Sequence, residues 1–216
     1  ILENTKVKSA KRVSNQWKIL FNNNQIIYSK VLINASGPWI NEIIKDVLKI
    51  PTKKNIRLVK GSHIITKKLH EYDIAFTFQN IDKRIVFVIP YKKKFSLIGT
   101  TEVEVSSPDQ HSIDENEKQY LISCVNNYFI KQIDKTDIVE DYSGVRPLIE
   151  DFKEASRVTR DYVFDLSFQD NLTPLLNIFG GKLTTYRKLA ENALEDLKDF
   201  LPSKKNKPWT SSKKIE

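Results

Sequence analysis

Two junctions between a strand and a helix constrain most strongly what this chain can fold into. At residues 34–39 and at residues 179–187, an apolar segment leads through a turn of small residues directly into a helical pattern. Small residues let a ligand approach the backbone closely, and the first turn of a helix offers unpaired N–H groups to an anion. Both junctions are therefore candidate ligand-binding turns, although an ordinary tight turn between a strand and a helix has the same pattern.

The second junction carries the greater number of donor groups. Gly180 and Gly181 are followed by Lys182, Thr184 and Thr185 at the start of the helix. The positive end of the helix, together with the lysine, favours a group that gains negative charge, such as a reduced flavin ring. A glycine-containing turn with a solvated lysine is the alternative interpretation.

The glycine content limits which cofactor motifs the chain can contain. Its six glycines form no G-x-G triplet, so the dinucleotide fingerprint G-x-G-x-x-G and the P-loop are both absent. The chain also has no methionine, even at its first position. We therefore expect a fragment of a longer protein, with the main pyrophosphate loop of any nucleotide cofactor outside this chain.

The middle of the chain has the pattern of an antiparallel sheet, which we assign to a second lobe. A helix follows it, beginning at a predicted capping box of Ser112 and Glu115. The segments predicted as sheet strands, each β-branched or aromatic and bounded by polar turns, are residues 56–59, 63–66, 74–78, 85–91 and 95–99.

The remaining strands and helices flank this lobe. Residues 31–33 are apolar throughout, which predicts a buried central strand. Helices are predicted from Pro38 to Pro51 and after Thr185, the latter with an apolar face that includes Ala193 and Leu197. The flanking strands are predicted at residues 6–13, 16–21, 25–34, 138–149, 157–167 and 175–179.

Three side chains outside the turns could carry chemistry. Arg146 lies within a largely apolar strand, where a guanidinium needs an anionic partner, and Arg160 has Asp161 beside it. Arginine forks suit phosphate or carboxylate oxygens, although a structural ion pair is the alternative for each. His63 follows an apolar strand, and histidine suits proton removal near neutral pH; a hydrogen-bonded structural histidine is the alternative.

Charge and composition exclude some classes of function. The net charge of +8 is compatible with nucleic acid, an anionic lipid surface or an anionic small substrate. The basic segments lack the aromatic residues or fold motif of a nucleic-acid-binding surface, so we expect no nucleic acid. A single cysteine excludes an internal disulfide, three histidines without ligand spacing disfavour a metal site, and no apolar run approaches the ~20 residues of a membrane helix.

Taken in order, seven motifs resemble the FAD-dependent glycerol-3-phosphate dehydrogenases of the quinone-linked bacterial type. Each motif alone is weak, but seven in the right order form a specific signal that covers residues 1–209, nearly the whole chain. The motifs are residues 34–39, 57–63, 82–90, 98–102, 142–148, 159–162 and 179–187.

The resemblance implies an α/β (α+β) fold of the D-amino-acid-oxidase-like class of FAD-dependent oxidoreductases. In that fold a substrate-binding lobe, built on an antiparallel sheet, interrupts the FAD-binding domain. The implied division assigns residues 1–42 and 141–202 to the FAD-binding domain, 43–140 to the substrate-binding lobe and 203–216 to a basic tail. The family's N-terminal FAD fingerprint and C-terminal helical domain have no counterpart in this sequence.

The resemblance also implies a reaction and its residues. The family oxidises sn-glycerol 3-phosphate to dihydroxyacetone phosphate with FAD and passes the electrons to a membrane quinone. By position, His63 matches a candidate base, and Lys182 matches a positive group beside the flavin. Arg146 and Arg160 match the phosphate pocket, Arg146 also counting as catalytic. The implied cofactor contacts are Asn34, Ala35, Ser36, Gly37, Trp39, Gly180, Gly181, Lys182, Leu183, Thr184 and Thr185, with no metal.

Location follows from the same resemblance, and two other functions stay open. The full-length enzyme is expected in the cytoplasm, peripheral on the inner face of the cytoplasmic membrane, with an anionic lipid surface as a further partner. One alternative is a glycerophosphate oxidase that uses oxygen, or a related flavin amine oxidase. The other is a non-catalytic basic binding module.

Overall fold

The computed structural model describes residues 1–149, 161–169, 172–202 and 209–213. These form two compact units: Ile1–Ile56 with the described residues after Arg146, and Arg57–Arg146. The divisions fall later in the chain than the boundaries predicted at 42/43 and 140/141. The first boundary lies later than predicted because the helical segment after residue 42 packs against the first unit, where Ile44 and Leu48 are buried.

The first unit contains two small sheets. One is antiparallel, in the order β1 (Val7–Val13), β2 (Gln16–Phe21) and β3 (Ile26–Ser29). In the other, β12 (Leu172–Gly180) lies between β11 (Tyr162–Gln169), which is antiparallel to it, and β4 (Leu32–Asn34), which is parallel.

Two predictions for this region are wrong. The strand predicted at residues 25–34 is divided, because the Ser29 hydroxyl donates to the Val31 carbonyl at 2.6 Å and the chain leaves the ladder there. The apolar run at residues 31–33 is not buried, since Ile33 is 45% exposed. Among the described strands, β4 has a neighbour on one side only, which explains the exposure.

Helices complete the first unit. After β4 come a short turn (Gly37–Trp39), α1 (Ile40–Glu42) and a wider helical turn (Ile43–Leu48). Near the end of the unit, the turn Leu183–Thr185 leads into α3 (Tyr186–Asp196), which is followed by Lys198–Phe200. Of the predicted apolar face of α3, Ala193 and Leu197 are buried against β12, whereas Tyr186 and Leu194 are exposed. No described helix is both long enough and apolar enough to span a membrane.

In its described residues, the second unit contains a six-stranded sheet, one α-helix and a short 3-10 turn at Lys135–Asp137. The order of the sheet is β10 (Ile138–Ile149), β5 (Ile56–Lys67), β8 (Phe95–Gly99), β7 (Ile85–Tyr91) and β6 (Phe76–Gln79), with β9 (Val103–Val105) also paired to β5. Helix α2 (Glu115–Tyr128) packs on one face through a core that includes Ile64, Val86, Ile98, Leu121 and Val125.

Strand β5 is longer than expected. The sequence predicts two strands separated at Gly61, but β5 is continuous because β9 pairs with its first half and β8 with its second. Since side chains alternate along a strand, His63 lies on the face opposite Ile64 and therefore opposite α2.

The capping box of α2 differs from the predicted Ser112 and Glu115. Asp114 Oδ1 accepts the Glu117 N–H at 2.9 Å, and Glu117 Oε2 accepts the Asp114 N–H at 3.0 Å. Both pairs have the spacing of a capping box, but Glu115 is already the first helical residue, and its exposed carboxylate pairs with Lys135. The beginning of the strand predicted at 157–167 and most of the predicted tail at 203–216 lie outside the described residues.

Candidate active site

His63 and Tyr142 form the aromatic part of a site on the second unit. Their rings are stacked, with centroids 4.9 Å apart and planes 7° from parallel. Gly99 lies opposite His63 in the ladder between β5 and β8, and the imidazole covers it so closely that an added methyl group would overlap the ring. The glycine therefore makes the space that the histidine occupies.

Arg146 lies beside them, on β10. Its Nη2 donates to Thr100 Oγ1 at 2.9 Å, and its Nη1 is 3.5 Å from the carboxylate of Glu102. The guanidinium rests against the backbone at Gly61, where an added methyl group would overlap Nη2. The side chain is 28% exposed, so a charged group is held in a fixed place at which a ligand can still reach it.

The environment keeps His63 neutral. Burial lowers the pKa of its imidazole below 6.5, and the positive charge of Arg146 lowers it further. Within the described residues, its Nδ1 is buried and has no hydrogen-bond partner. A neutral imidazole next to a guanidinium can accept a proton from an anionic substrate that the guanidinium holds.

The first unit carries the two predicted turns. Because Asn34 on β4 pairs in parallel with Asn177 on β12, residues 35–39 and 181–185 leave the sheet at the same end. Ligands of open α/β sheets bind outside the carboxyl ends of the strands. Both candidate turns therefore lie at the end of the sheet that corresponds to the ligand-binding end of such folds.

The Asn34 side chain holds the first turn. It is buried, donates to Asn177 Oδ1 at 3.0 Å and accepts from Ser36 Oγ at 2.7 Å. Gly37 has a φ of +58°, a conformation that glycine adopts without a steric penalty, and no atom of the described residues lies within 4 Å of the position of an added methyl group. Ala35 and Trp39 are exposed beside it.

The second turn presents donors to solvent. Lys182, Leu183 and Thr184 are exposed, and no described side chain caps the helical turn that they begin. The Thr185 hydroxyl is already used, because it donates to the Lys182 carbonyl at 3.1 Å. The free N–H groups and the ammonium group together suit an anionic ligand.

The predicted site residues are thus brought together in two groups, one in each unit. His63 and Arg146 share the second unit, and the turn residues share the first, while Arg160 lies outside the described residues. Sequence reasoning missed Tyr142, Thr100 and Glu102 as site residues. Glycines within β-branched strands signal a close approach of another group, and Gly61 and Gly99 carried that signal.

Comparison with known proteins identifies the family. The family described as "FAD dependent oxidoreductase" matches residues 1–187. The chain belongs to this family. It is 44% identical to the aerobic glycerol-3-phosphate dehydrogenase of Escherichia coli (strain K12) over 207 residues, which are 93% of this chain and 41% of that protein. It is 41% identical to the D-erythritol 1-phosphate dehydrogenase of Brucella abortus (strain 2308) over 209 residues, 94% of this chain and 41% of that protein.

A solved structure confirms the fold class of this FAD-dependent oxidoreductase. The glycerol-3-phosphate dehydrogenase from Bacillus halodurans, complexed with FAD, superposes with a TM-score of 0.75 at 25% identity, covering 92% of this chain and 39% of that chain. The predicted resemblance and the D-amino-acid-oxidase-like fold are therefore confirmed. The chain spans about two fifths of the length of the relatives it matches.

The turns of the first unit fit a flavin nucleotide. Open space beside Gly37 allows a large group to approach the backbone, and the uncapped turn at Lys182 offers donors and a positive charge. The exposed Trp39 and Leu183 supply apolar surface for a ring system. These residues would hold FAD, and the chemistry that they favour is the gain of negative charge on its ring.

Alanine at Gly61 or Gly99 tests whether the two glycines create the site. Each added methyl group overlaps Arg146 or His63, so we expect Gly61→Ala and Gly99→Ala to lower the free energy of unfolding by roughly 1–3 kcal/mol. We expect Gly99→Ala to shift the NMR signal of the His63 ring as well.

Gly144→Ala is the matched control. Gly144 lies on β10 between Tyr142 and Arg146, and no described atom lies within 4 Å of its added methyl group. Denaturant unfolding should show little change for this variant. Equal losses for all three variants would mean that the close approaches at Gly61 and Gly99 are unimportant.

Proposed function

We propose that the protein containing this chain oxidises sn-glycerol 3-phosphate to dihydroxyacetone phosphate with FAD and passes the electrons to a membrane quinone. The observation that carries the proposal is the imidazole of His63, stacked on Tyr142, with the guanidinium of Arg146 on the same face of the substrate-lobe sheet. The similarity to glycerol-3-phosphate dehydrogenases along most of the chain supports it.

The substrate's phosphate is the group that an arginine would bind. A phosphate monoester carries nearly two negative charges at neutral pH and accepts parallel hydrogen bonds from a guanidinium fork. Arg146 has a fixed position and remains reachable from solvent. We assign it to the phosphate or to the reacting oxygens nearby, and we assign Arg160 to the same phosphate by its position in the sequence.

His63 would act as the base. Oxidation of a secondary alcohol removes the hydroxyl proton and the hydrogen on the same carbon, the latter with its electron pair. We assign the hydroxyl proton to the neutral imidazole, whose lowered pKa keeps it ready to accept one at neutral pH. FAD supplies, when bound, the two-electron acceptor for the hydride.

Lys182 and the turn residues would hold that cofactor. The ammonium group and the uncapped N–H groups stabilise negative charge on a flavin ring. Gly37, Gly180 and Gly181 each have a positive φ that other residues rarely adopt, so glycine is what allows the chain to form these two turns. Lys182 thus supports electron transfer, and His63 supports proton transfer.

The electron acceptor and the location are part of the proposal. A quinone acceptor places the enzyme at the inner face of the cytoplasmic membrane, where the net charge of +8 would favour anionic lipid. The intact gene product, loaded with FAD, should reduce a quinone analogue without oxygen and release little peroxide in air. Rapid peroxide release would indicate an oxidase instead.

A second substrate has specific support. The chain is about as similar to a D-erythritol 1-phosphate dehydrogenase as to a glycerol-3-phosphate dehydrogenase. Both substrates carry a phosphate for Arg146 and a hydroxyl for His63. A comparison of kcat/KM for the two phosphate esters decides between them, and the proposal requires the higher value for glycerol 3-phosphate.

Replacing Arg146 tests the anion-binding role. We expect Arg146→Ala to lower kcat/KM for glycerol 3-phosphate by about 10- to 150-fold, because one hydrogen bond to a charged group contributes roughly 1.5–3 kcal/mol. Steady-state kinetics of the flavin-loaded gene product measure the loss. Arg84→Ala is the control, since Arg84 belongs to the same unit but pairs with Asp82. An unchanged kcat/KM for Arg146→Ala would exclude the role.

The pH profile tests His63 as the base. Its folded pKa lies below 6.5, so activity should be on its plateau at neutral pH and fall as acidification protonates the imidazole. The substrate's phosphate has a second pKa of about 6, so its protonation also lowers kcat/KM at acidic pH. We therefore compare wild type with His63→Gln. The variant should be about 10²- to 10⁴-fold slower, and the part of the acidic fall in activity that is due to the histidine should disappear. A mutant with wild-type rate and profile would rule out this role.

A further inference from the structure

A buried carboxylate lies under the site, on the other face of the sheet. Glu117, in the first turn of α2, is 4% exposed and accepts hydrogen bonds on both oxygens. Its Oε2 accepts from Lys60 Nζ at 2.8 Å and from the Asp114 N–H at 3.0 Å. Its Oε1 accepts from Ser62 Oγ at 2.8 Å and Thr101 Oγ1 at 2.6 Å.

The two hydroxyl partners of Glu117 adjoin the residues of the site. Ser62 directly precedes His63 on β5. Thr101 lies between Thr100 and Glu102, both of which contact Arg146. One carboxylate oxygen is therefore bonded to both segments on which the base and the guanidinium depend.

A third segment is connected through Ser62. Ser143 Oγ donates to Ser62 Oγ at 2.7 Å, and Ser143 follows Tyr142, whose ring stacks on His63. The hydroxyl of Ser62 thus links β10 to the carboxylate.

The negative charge of Glu117 sets the direction of the hydrogen bonds from the two hydroxyls. Burial by itself raises the pKa of Glu117, but the hydrogen bonds from Lys60, Thr101, Asp114 and Ser62 outweigh it and lower that pKa. An ionised carboxylate only accepts, so both hydroxyls must donate to it. Each hydroxyl oxygen then remains an acceptor.

The hydroxyl oxygens of Ser62 and Thr101 each accept a further hydrogen bond. Ser62 Oγ accepts from Ser143, and Thr101 Oγ1 accepts from the Ser62 N–H at 2.9 Å. The Thr101 N–H in turn donates to the Ser62 carbonyl at 3.2 Å. These bonds fasten residues 100–102 to β5 just beyond the end of β8, where the regular ladder with β5 has stopped.

We propose that Glu117 is a positioning residue, which holds His63, Arg146 and Tyr142 in their mutual arrangement through Ser62 and Thr101. The proposal deepens the proposed function, on which it rests for its kinetic test. Capping α2 requires only Oε2, whereas among the described residues Oε1 bonds only to the two hydroxyls beneath the site. The second oxygen is therefore not explained by the helix cap.

Thr101→Val is the most informative variant. It keeps the shape and charge of the side chain and removes only the hydroxyl between Glu117 and Ser62. A small displacement of catalytic groups has a large effect on rate, so we expect kcat per bound flavin to fall on the order of tenfold and KM to rise. Thr101→Ser restores the hydroxyl and should recover most of both values.

Glu117→Gln and a matched control complete the set. The amide places an NH₂ group either against the Lys60 ammonium or against the two hydroxyls, so we expect a loss at least as large as that of Thr101→Val. Glu115→Gln makes the same chemical change in the same helical turn, at an exposed carboxylate. Its kinetics should match wild type.

The pH profile distinguishes a disturbed arrangement of the site in Thr101→Val from a smaller amount of folded enzyme. Within the part of the chain that the structure describes, Tyr142 stacks on His63, and Arg146 is the charged group that lowers its pKa. If the arrangement loosens, His63 becomes more solvated and moves from the guanidinium, so its pKa should rise toward 6.5 in Thr101→Val. A fall in folded enzyme alone would change neither KM nor this pKa.

The outcomes distinguish this proposal from the proposed function. If wild type oxidises glycerol 3-phosphate and Thr101→Val has wild-type kcat per flavin, KM and pH profile, the positioning role is wrong and the function stands. If wild type oxidises neither phosphate ester, the function is wrong, and an NMR titration of the His63 ring in wild type and Thr101→Val decides the positioning role. Equal pKa values in the two proteins would overturn it.

Discussion

The ion pair between Lys60 and Glu117 is the interaction on which the second unit depends. Both side chains are almost completely buried, with their charged atoms 2.8 Å apart, and Lys60 also donates to the Ser112 carbonyl. A buried charge is costly unless it is paired and hydrogen-bonded, and here each partner has additional bonds. The pair joins β5 to the start of α2, so the helix and the strand that carries His63 cannot shift independently.

Two glycines shape the face of the sheet that is opposite this ion pair. Gly61 and Gly99 leave space in which Arg146 and His63 lie directly on the backbone. Close packing fixes the direction of both side chains, and the bonds of Arg146 to Thr100 and Glu102 add to this constraint. The same arrangement sets the charge state, because a histidine that is half-buried beside a guanidinium is neutral at neutral pH.

The two units have different chemical tasks in the proposed reaction. The first unit presents backbone donors and a lysine at the carboxyl ends of parallel strands, which suits a cofactor that gains charge. The second presents an imidazole and a guanidinium on an antiparallel sheet, which suits an anionic alcohol as substrate. In this proposal, proton removal belongs to the second unit and electron acceptance to the first, and each unit has its own hydrophobic core.

Local patterns in the sequence were sufficient for many elements. The strands Ile85–Tyr91, Phe95–Gly99 and Ile138–Ile149 were predicted with the bounds observed, because alternation and turn residues act over a few positions. The order of the motifs was enough to predict the family and the fold class. The cap of α2 was predicted wrongly at Ser112 and Glu115, because Asp114 and Glu117, which form the observed cap, have the same spacing.

By itself, then, the sequence determined the types of the elements, the family and the identities of His63, Arg146 and Lys182 as candidates. Only the tertiary structure decided that β5 is continuous, that Tyr142 stacks on His63, and that Glu117 bonds to two hydroxyls beneath the site. The physical reason is sequence separation. Ring stacking and buried hydrogen bonds join residues on different strands and helices, and neither leaves a periodic trace in the chain.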